Sequence, residues 1–503
     1  MTALINQEFI SGTTITSSWL NGVNDHVNAI ESTTGAGLVG VTPSGTISST
    51  KVQGALQELD TDIQSHISDV TNAHEATSIS YQQGSTGSVV RNTGDKLRES
   101  VSVKDFGAIG DGVHDDTVAI QAAITYAQAP TGSYLDKEVF FPPGMYNVST
   151  PLVLKHGTEA NHALLLGYGA TLYCTAAIST VIDIVAAGAV NYQWIGQTHI
   201  LGLRIECAGV AQRGITIGTG LGIDGVFPSI IRDVDIRDYT IAGITITDSR
   251  LWQLNSVTVQ SSTSAARPLV FHTTATGKTC VDHWVTNCQF VVPAASAAAC
   301  IYANIAAGSI GGLHFTDVVC YGVLAFLNVT DTGTLSDIFF TQCAQDGMGK
   351  AAYAPCLSIT AATSNKIKDV FINSCWFNAG YSGIEFQNVA NAQLRGGKVS
   401  STDLFAVRLT DCLDTVISDV AFYDVNTSNN GGGAINLGAA GSRNKVIGCS
   451  VFNAAGHSNV ICLIGATQLK PVVVGNTTDA GIFLTNNNLG VSGTDYYYAG
   501  NLS

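Results

Sequence analysis

The chain has 503 residues, of which 45% are hydrophobic and 12% charged, with 53 glycines and a net charge of −15. So much apolar residue with less than half the usual charge, about 25%, excludes an intrinsically disordered chain. The 23 Lys+Arg against 38 Asp+Glu leave no basic surface for nucleic acid, whose phosphates demand clustered cations.

From the N-terminus, MTALINQEFISGTT has neither the basic start nor the apolar core of a secretion signal. No later stretch reaches the ~18 apolar residues of a membrane span. The expectation is a protein made in the cytoplasm without membrane insertion. Residues Thr16 to Glu31 predict a short helix, capped at Thr16, Ser17 or Ser18, with Leu20, Val23, Val27 and Ile30 on one stripe. From Lys51, Val52, Leu56, Leu59, Ile63, His66 and Val70 follow the 4-3 alternation of a coiled-coil seam. Three heptads are few, so this neck predicts partner helices. Thr33 to Thr50 and Gly84 to Thr93 are rich in Gly, Ser and Thr and predict short β or loop connectors. Three stretches here resemble phage tail fibres and tailspikes: Gly40-Val-Thr-Pro-Ser-Gly45, Val52-Gln-Gly-Ala-Leu-Gln-Glu-Leu59, and Lys96-Leu-Arg-Glu99 running into Val101-Ser-Val-Lys-Asp-Phe-Gly107.

Next comes Asp105-Phe-Gly-Ala-Ile-Gly-Asp-Gly-Val-His-Asp-Asp-Thr117, followed by Ala119-Ile-Gln-Ala-Ala-Ile124 and later Val139-Phe-Phe-Pro-Pro-Gly-Met-Tyr146. These motifs resemble the opening of the pectate-lyase-like superfamily of β-helix proteins. The glycines supply tight turns, Asp115, Asp116 or Thr117 caps a helix, and Val118, Ala122 and Ala123 offer its apolar face. That helix predicts a lid on the open N-terminal edge of a β stack. The Asp-rich segment lacks the alternate-position spacing and terminal Glu of an EF-hand loop, so its acids read as structural rather than as a metal site.

Beyond residue 198 a pattern h-x-x-h-x-h, h being apolar, starts at Ile200, Ile231, Leu254, Val285, Phe315, Phe340, Ile372, Leu394, Ile417 and Val446. The starts recur every 22 to 32 residues, an interval suited to one coil of a parallel β-helix. The fourth place is Leu203, Val234, Val257, Cys288, Val318, Cys343, Cys375, Gly397, Val420 and Cys449. Four cysteines thus share an inward column with valines, which predicts reduced, buried thiols rather than disulfides. A second strand repeats as Gly214-Ile-Thr-Ile217, Gly243-Ile-Thr-Ile246, Gly383-Ile-Glu-Phe386, Ala406-Val-Arg-Leu409 and Ala434-Ile-Asn-Leu437. The fold class is therefore an all-β, right-handed parallel β-helix of ten to thirteen coils behind a short helical neck. The expected divisions are a virion-attachment segment (1–32), a trimeric neck and linker (33–100), the β-helix body (101–470) and a C-terminal cap (471–503).

The tailspike resemblance implies a homotrimer in the phage tail, held to tail or adaptor proteins through its N-terminus, that binds a bacterial lipopolysaccharide O-antigen or capsule. It implies cleavage by an endoglycosidase, with a polysaccharide lyase, a non-cleaving fibre and a purely structural spike as alternatives. No cofactor or metal is called for. Glu206 and Asp235 form an apparent acidic pair, yet in register Arg204 stands by Asp235 and Glu206 by Arg237, a salt-bridge lattice. Hydrolysis needs two carboxylates about 5 to 9 Å apart, and the candidates are Asp346 and Glu385, with acid and nucleophile or base left open between them. The outward Trp376 offers a sugar platform, with Asn378, Tyr381 and Arg408 as further binding residues. The competing reading pairs Glu385 with Arg408 and packs Trp376 on another subunit.

Overall fold

The computed structural model describes residues 52–68, 79–128, 138–156, 163–186, 198–218, 229–293, 298–346, 354–427, 434–438, 440–452 and 467–478. Shorter pieces are 18, 20–22, 24–25, 48, 76, 462–464, 484–486 and 497–499. Two compact units result, Met1–Glu99 and Ser100–Ser503. In the first, Ser18, Leu20 and Asn24 are helical as expected, and Val52–Ser68 is one helix with no buried residue. Its seam stands open in the single chain, Leu56 58%, Leu59 43% and Ile63 45% exposed. Val70 lies outside the described residues. The connector after it is a hairpin, Ser80–Tyr81 antiparallel to Arg91–Asn92.

The second unit is a right-handed parallel β-helix. Each coil passes through three sheets, all paired in parallel with the coils before and after it. Sheet 1 includes Ser229–Arg232, Thr279–Thr286 and Ile367–Asn373; sheet 2, Asp235–Arg237, Gln289–Val291 and Trp376–Asn378; sheet 3, Ala242–Thr247, Ala299–Ile305 and Ser382–Gln387. Among the described residues sheets 2 and 3 have 14 and 13 strands, in line with the ten to thirteen coils expected.

The h-x-x-h-x-h pattern has a backbone cause. In the sheet-1 strand Ser229–Arg232, Ile231 points inward and the last residue, Arg232, points out, and Asp233 turns the corner with φ of 55°. Val234 then points into the core, Asp235 out and Ile236 in. The left-handed corner repeats at Asn287 (φ 53°), Asp317 (52°), Ser374 (53°) and Asp419 (57°), a conformation that costs a non-glycine residue about 1–2 kcal/mol and that Asp and Asn tolerate best. Each corner delivers the next residue to the interior, so Cys288, Cys343, Cys375 and Cys449 are buried beside Val257, Val318 and Val420. Gly397 breaks this column because a Cβ there would lie 2.1 Å from the Cys375 carbonyl oxygen.

The lid at the N-terminal end is the helix Thr117–Ala127. Its buried face is Ile120, Ala123, Ile124 and Ala127, whereas Val118 is 82% exposed and Ala122 is also exposed. The expected face is thus rotated, because the inward ridge follows the i, i+3, i+4, i+7 row from Ile120. Two glutamines finish the cap. Gln121 Nε2 donates to the Val153 carbonyl (3.0 Å) while its Oε1 accepts from Val153 N–H (2.7 Å). Gln128 does the same with Lys155 (2.6 and 3.0 Å). The carboxamides substitute for a missing neighbouring strand, so the edge Leu152–His156 offers no free pairing groups at these positions.

The aspartates of the opening motif are all engaged. Asp116 accepts from Ile109 and Gly110 N–H (2.6 and 3.2 Å), and Asp115 accepts from Thr117 N–H (3.0 Å) and Ser149 Oγ (2.6 Å). Asp111 accepts from Val113 and His114 N–H (2.8 and 3.0 Å), which holds its carboxyl down at about 2. Among the three expected candidates the N-cap residue is Asp116, which makes no side-chain capping bond to the helix, while Asp115 before it accepts from Thr117 N–H.

The eleven cysteines whose side chains are described are free and buried, and burial pushes the Cys280, Cys288 and Cys449 thiols up to about 12. Alkylation of Cys288, Cys343, Cys375 and Cys449 therefore requires unfolding, as mass spectrometry after iodoacetamide treatment with and without guanidinium checks. Rapid native labelling at these four would contradict the inward column.

His283 is fully buried, its Nδ1 accepting from Trp252 N–H (3.3 Å) and its Nε2 within 3.1 Å of the Ser249 carbonyl, a pattern that assigns the proton to Nε2. Burial lowers its pKa to about 3. The unfolded chain protonates this residue below about 6.5 while the folded chain does not, so stability is intact above that value and falls as pH drops toward 3, by on the order of 4 kcal/mol per chain. Guanidinium midpoints measured from pH 7 to 4 should fall less steeply in His283→Gln than in the wild type. Equal slopes would show that His283 carries no part of the acid sensitivity.

Candidate functional site

The outer face of sheet 2 is built by alternation. In the strands Asp235–Arg237, Gln289–Val291 and Trp376–Asn378 the middle residue is buried and the two flanking residues face outward. In-register pairing then lines them into two columns. One runs Val319, Ala344, Trp376, Lys398; the other runs Val291, Tyr321, Asp346, Asn378.

Trp376 is 41% exposed. On one side it neighbours Lys398, whose ammonium lies 5.8 Å from the indole centroid; on the other it neighbours Ala344, too small to cover a ring. Beside it, Asn378 Nδ2 donates to Asp346 Oδ1 (2.9 Å), Ser400 Oγ donates to Asn378 Oδ1 (3.0 Å), and Asn378 N–H donates to the buried Gln345 Oε1 (2.9 Å). This chain of bonds fixes the amide and the carboxylate relative to the indole. Trp376, Asn378 and Asp346 thus share one surface, as the register argument predicts.

The same surface carries aromatic residues that the sequence reading missed. Tyr321, 40% exposed, is the register partner of Asp346. Lys398 also sits over Tyr423 (4.7 Å), which stacks on Phe452 (4.9 Å). The signal was available in the spacing, since each is the third residue of its sheet-2 strand.

Glu385 lies elsewhere. It is in the sheet-3 strand Ser382–Gln387, between Ser358 and Arg408 in register. No ion pair joins Glu385 to Arg408 among the described residues, so the expected competing salt bridge is not formed. The turn Ala379–Tyr381 separates the two surfaces. Ala379 adopts φ of 61°, a Cβ at Gly380 would lie 2.5 Å from Cys356 Sγ, and half-buried Tyr381 donates its N–H to the Ala354 carbonyl (3.1 Å). Asp346 and Glu385 therefore stand on different sheets on either side of this corner, rather than in one column.

The Glu206 and Asp235 lattice has the expected register. Arg204 is paired with Asp235 and Glu206 with Arg237. Arg204 reaches Glu206 (3.4 Å) and Asp235 (3.9 Å), and Arg237 Nε meets Asp235 at 2.8 Å.

A family model described as rhamnogalacturonase A/epimerase, pectate lyase-like, matches residues 100–172. Tailspike protein 3 of bacteriophage CBA120 is similar in structure with a TM-score of 0.54 at 13% identity, over 88% of this chain and 68% of that one. The pre-mature bacteriophage phi29 gene product 12 gives 0.54 at 14% identity, over 81% and 57%. In sequence, mannuronan C5-epimerase AlgE6 of Azotobacter vinelandii is 60% identical over 48 residues, 10% of this chain and only 5% of that protein. The family model matches only the first coils. The described residues from 100 onward form a right-handed parallel β-helix, the fold shared with bacteriophage CBA120 tailspike protein 3.

Proposed function

We propose that this chain is a trimeric phage spike whose β-helix binds a bacterial surface polysaccharide, O-antigen or capsule, and hydrolyses it. Residues 1–32 attach it to tail or adaptor proteins of the virion, 33–100 form the neck, 101–470 carry recognition and catalysis, and 471–503 cap the rod. The observation that carries the reading is the exposed Trp376 beside an orientated Asp346–Asn378 pair on a continuous sheet face. Indole faces stack on sugar rings while amides and carboxylates bond their hydroxyls.

For cleavage, one carboxyl group protonates the leaving oxygen while the other attacks or activates water. A polymer bent over the corner at Ala379–Tyr381 would meet Asp346 on one side and Glu385 on the other, with Arg408 beside Glu385. Neither carboxylate is assigned to acid or to nucleophile. The placement of the two on different sheets favours a second reading, a binder that does not cleave.

The trimer rests on the neck helix. A 17-residue helix with no buried residue and an exposed apolar stripe needs partners to be stable in water. Light scattering should give three times the 52.4 kDa chain mass, and Leu59→Asp, which places a charge on the axis, should loosen the neck. A monomeric wild-type mass would contradict the trimer.

Incubating the trimer with polysaccharide from a strain that it binds, while following reducing ends and ultraviolet absorbance, separates the chemistries. Reducing ends without absorbance mark a hydrolase, both together a lyase, and binding with neither an adhesin. Asp346→Asn and Glu385→Gln should each lower the cleavage rate by about a hundredfold or more without altering trimer mass. Wild-type rates in both variants would place the chemistry elsewhere.

A further inference from the structure

Toward the N-terminal end of the same sheet-2 face lies an open groove of about 580 Å³, lined by Thr171, Tyr173, Arg204, Glu206, Asp238 and Ser262 among others. Asp238 is fixed by Ser262, whose N–H and hydroxyl both donate to it (3.3 and 3.1 Å). Glu206, with only 17% of its side chain exposed, is turned along the groove by Arg204 at 3.4 Å. Two orientated carboxylates, an aromatic ring and a hydroxyl in one concavity match the requirements of a sugar, which offers hydroxyl donors and an apolar ring face.

The groove and Trp376 belong to one track. Six strand steps separate Arg204–Glu206 from Trp376–Asn378 in the sheet order, roughly 29 Å at a spacing of about 4.8 Å. The outward residues between Arg237 and Asp346, Thr258, Gln260, Gln289, Val291, Val319 and Tyr321, carry no charge. Over the track Arg204, Arg237 and Lys398 stand against Glu206, Asp235, Asp238 and Asp346. It holds no surplus of cations, and the chain as a whole is at −15, so a polyanion gains nothing by binding there.

We infer that the outer face of sheet 2 is a track for a neutral, hydroxyl-rich polysaccharide, with a second subsite in the Tyr173, Glu206 and Asp238 groove remote from Trp376. This rests on the polysaccharide-binding reading above and narrows its ligand.

The test uses the full-length trimer and size-fractionated polysaccharide from a bacterial strain that the labelled protein decorates. Two variants probe the groove: Thr171→Trp fills it, and the near-isosteric pair Glu206→Gln with Asp238→Asn keeps side-chain shape while removing the charges and turning one acceptor of each carboxylate into a donor. Both should weaken binding of long fragments about tenfold and leave fragments too short to reach from Trp376 unchanged. Wild-type binding should stay within about twofold between 50 and 500 mM NaCl, since no net counter-charge is being screened, and polygalacturonate should not compete. Wild-type affinity in the Gln/Asn variant, a steep salt dependence, or competition by polygalacturonate would overturn the inference while leaving the spike reading intact. A protein that decorates no strain and binds no polysaccharide would overturn both.

Discussion

Everything in the body depends on the corner between sheets 1 and 2. From the strand Thr198–Leu201 onward, one residue in the left-handed region follows each sheet-1 strand, and the next is delivered to the core. Because that event recurs from coil to coil along this stretch, parallel pairing brings like positions into columns at one strand spacing. Interior columns can then be filled by interchangeable small apolar groups, Val234, Val257, Cys288, Val318, Cys343. Exterior columns become rows of functional groups at fixed separations. The backbone settles register, and the outward side chains are left available for recognition.

The rows differ in a way that ring stacking explains. On sheet 1, Trp284, His314, Phe339 and Phe371 stack on one another at 5.6, 4.6 and 5.0 Å with interplanar angles of 9°, 2° and 13°. The inner rings are stacked on both faces, and only the end faces of Trp284 and Phe371, next to Gln253 and Gln393, lack an aromatic neighbour. On sheet 2, Trp376 has Ala344 as its neighbour, so one indole face lacks an aromatic partner. Stacking on a sugar needs a face rather than an edge, so the inner rings of this ladder, stacked on both sides, are the poorer candidates for carbohydrate.

The sequence pattern was legible wherever a column repeats. The apolar starts, the cysteine column, the second strand at Gly383–Phe386 and the Arg204–Asp235 register all follow from counting within strands. Counting failed where the connection length varies. From sheet 2 to sheet 3 the chain takes three residues at 379–381 but eight at 347–354. Glu385 was correctly read as outward, while its placement around a corner from Asp346 depends on that turn and has no periodic signature. The capping helix shows a related failure. Val118 and Ala122 are as apolar as the residues that bury, and the inward ridge is selected by contacts to the first coil and by Gln121 and Gln128, which pair with a strand some thirty residues away.

The central claim is that an exposed indole face on sheet 2 is where a sugar chain docks. Binding of Trp376→Ala to the polysaccharide, measured by calorimetry beside wild type together with a thermal unfolding scan, tests it most directly. Loss of a platform residue should weaken binding about tenfold or more with little change in unfolding, because Trp376 is outward and contributes little to the core. Unchanged affinity in a normally folded variant would contradict the account.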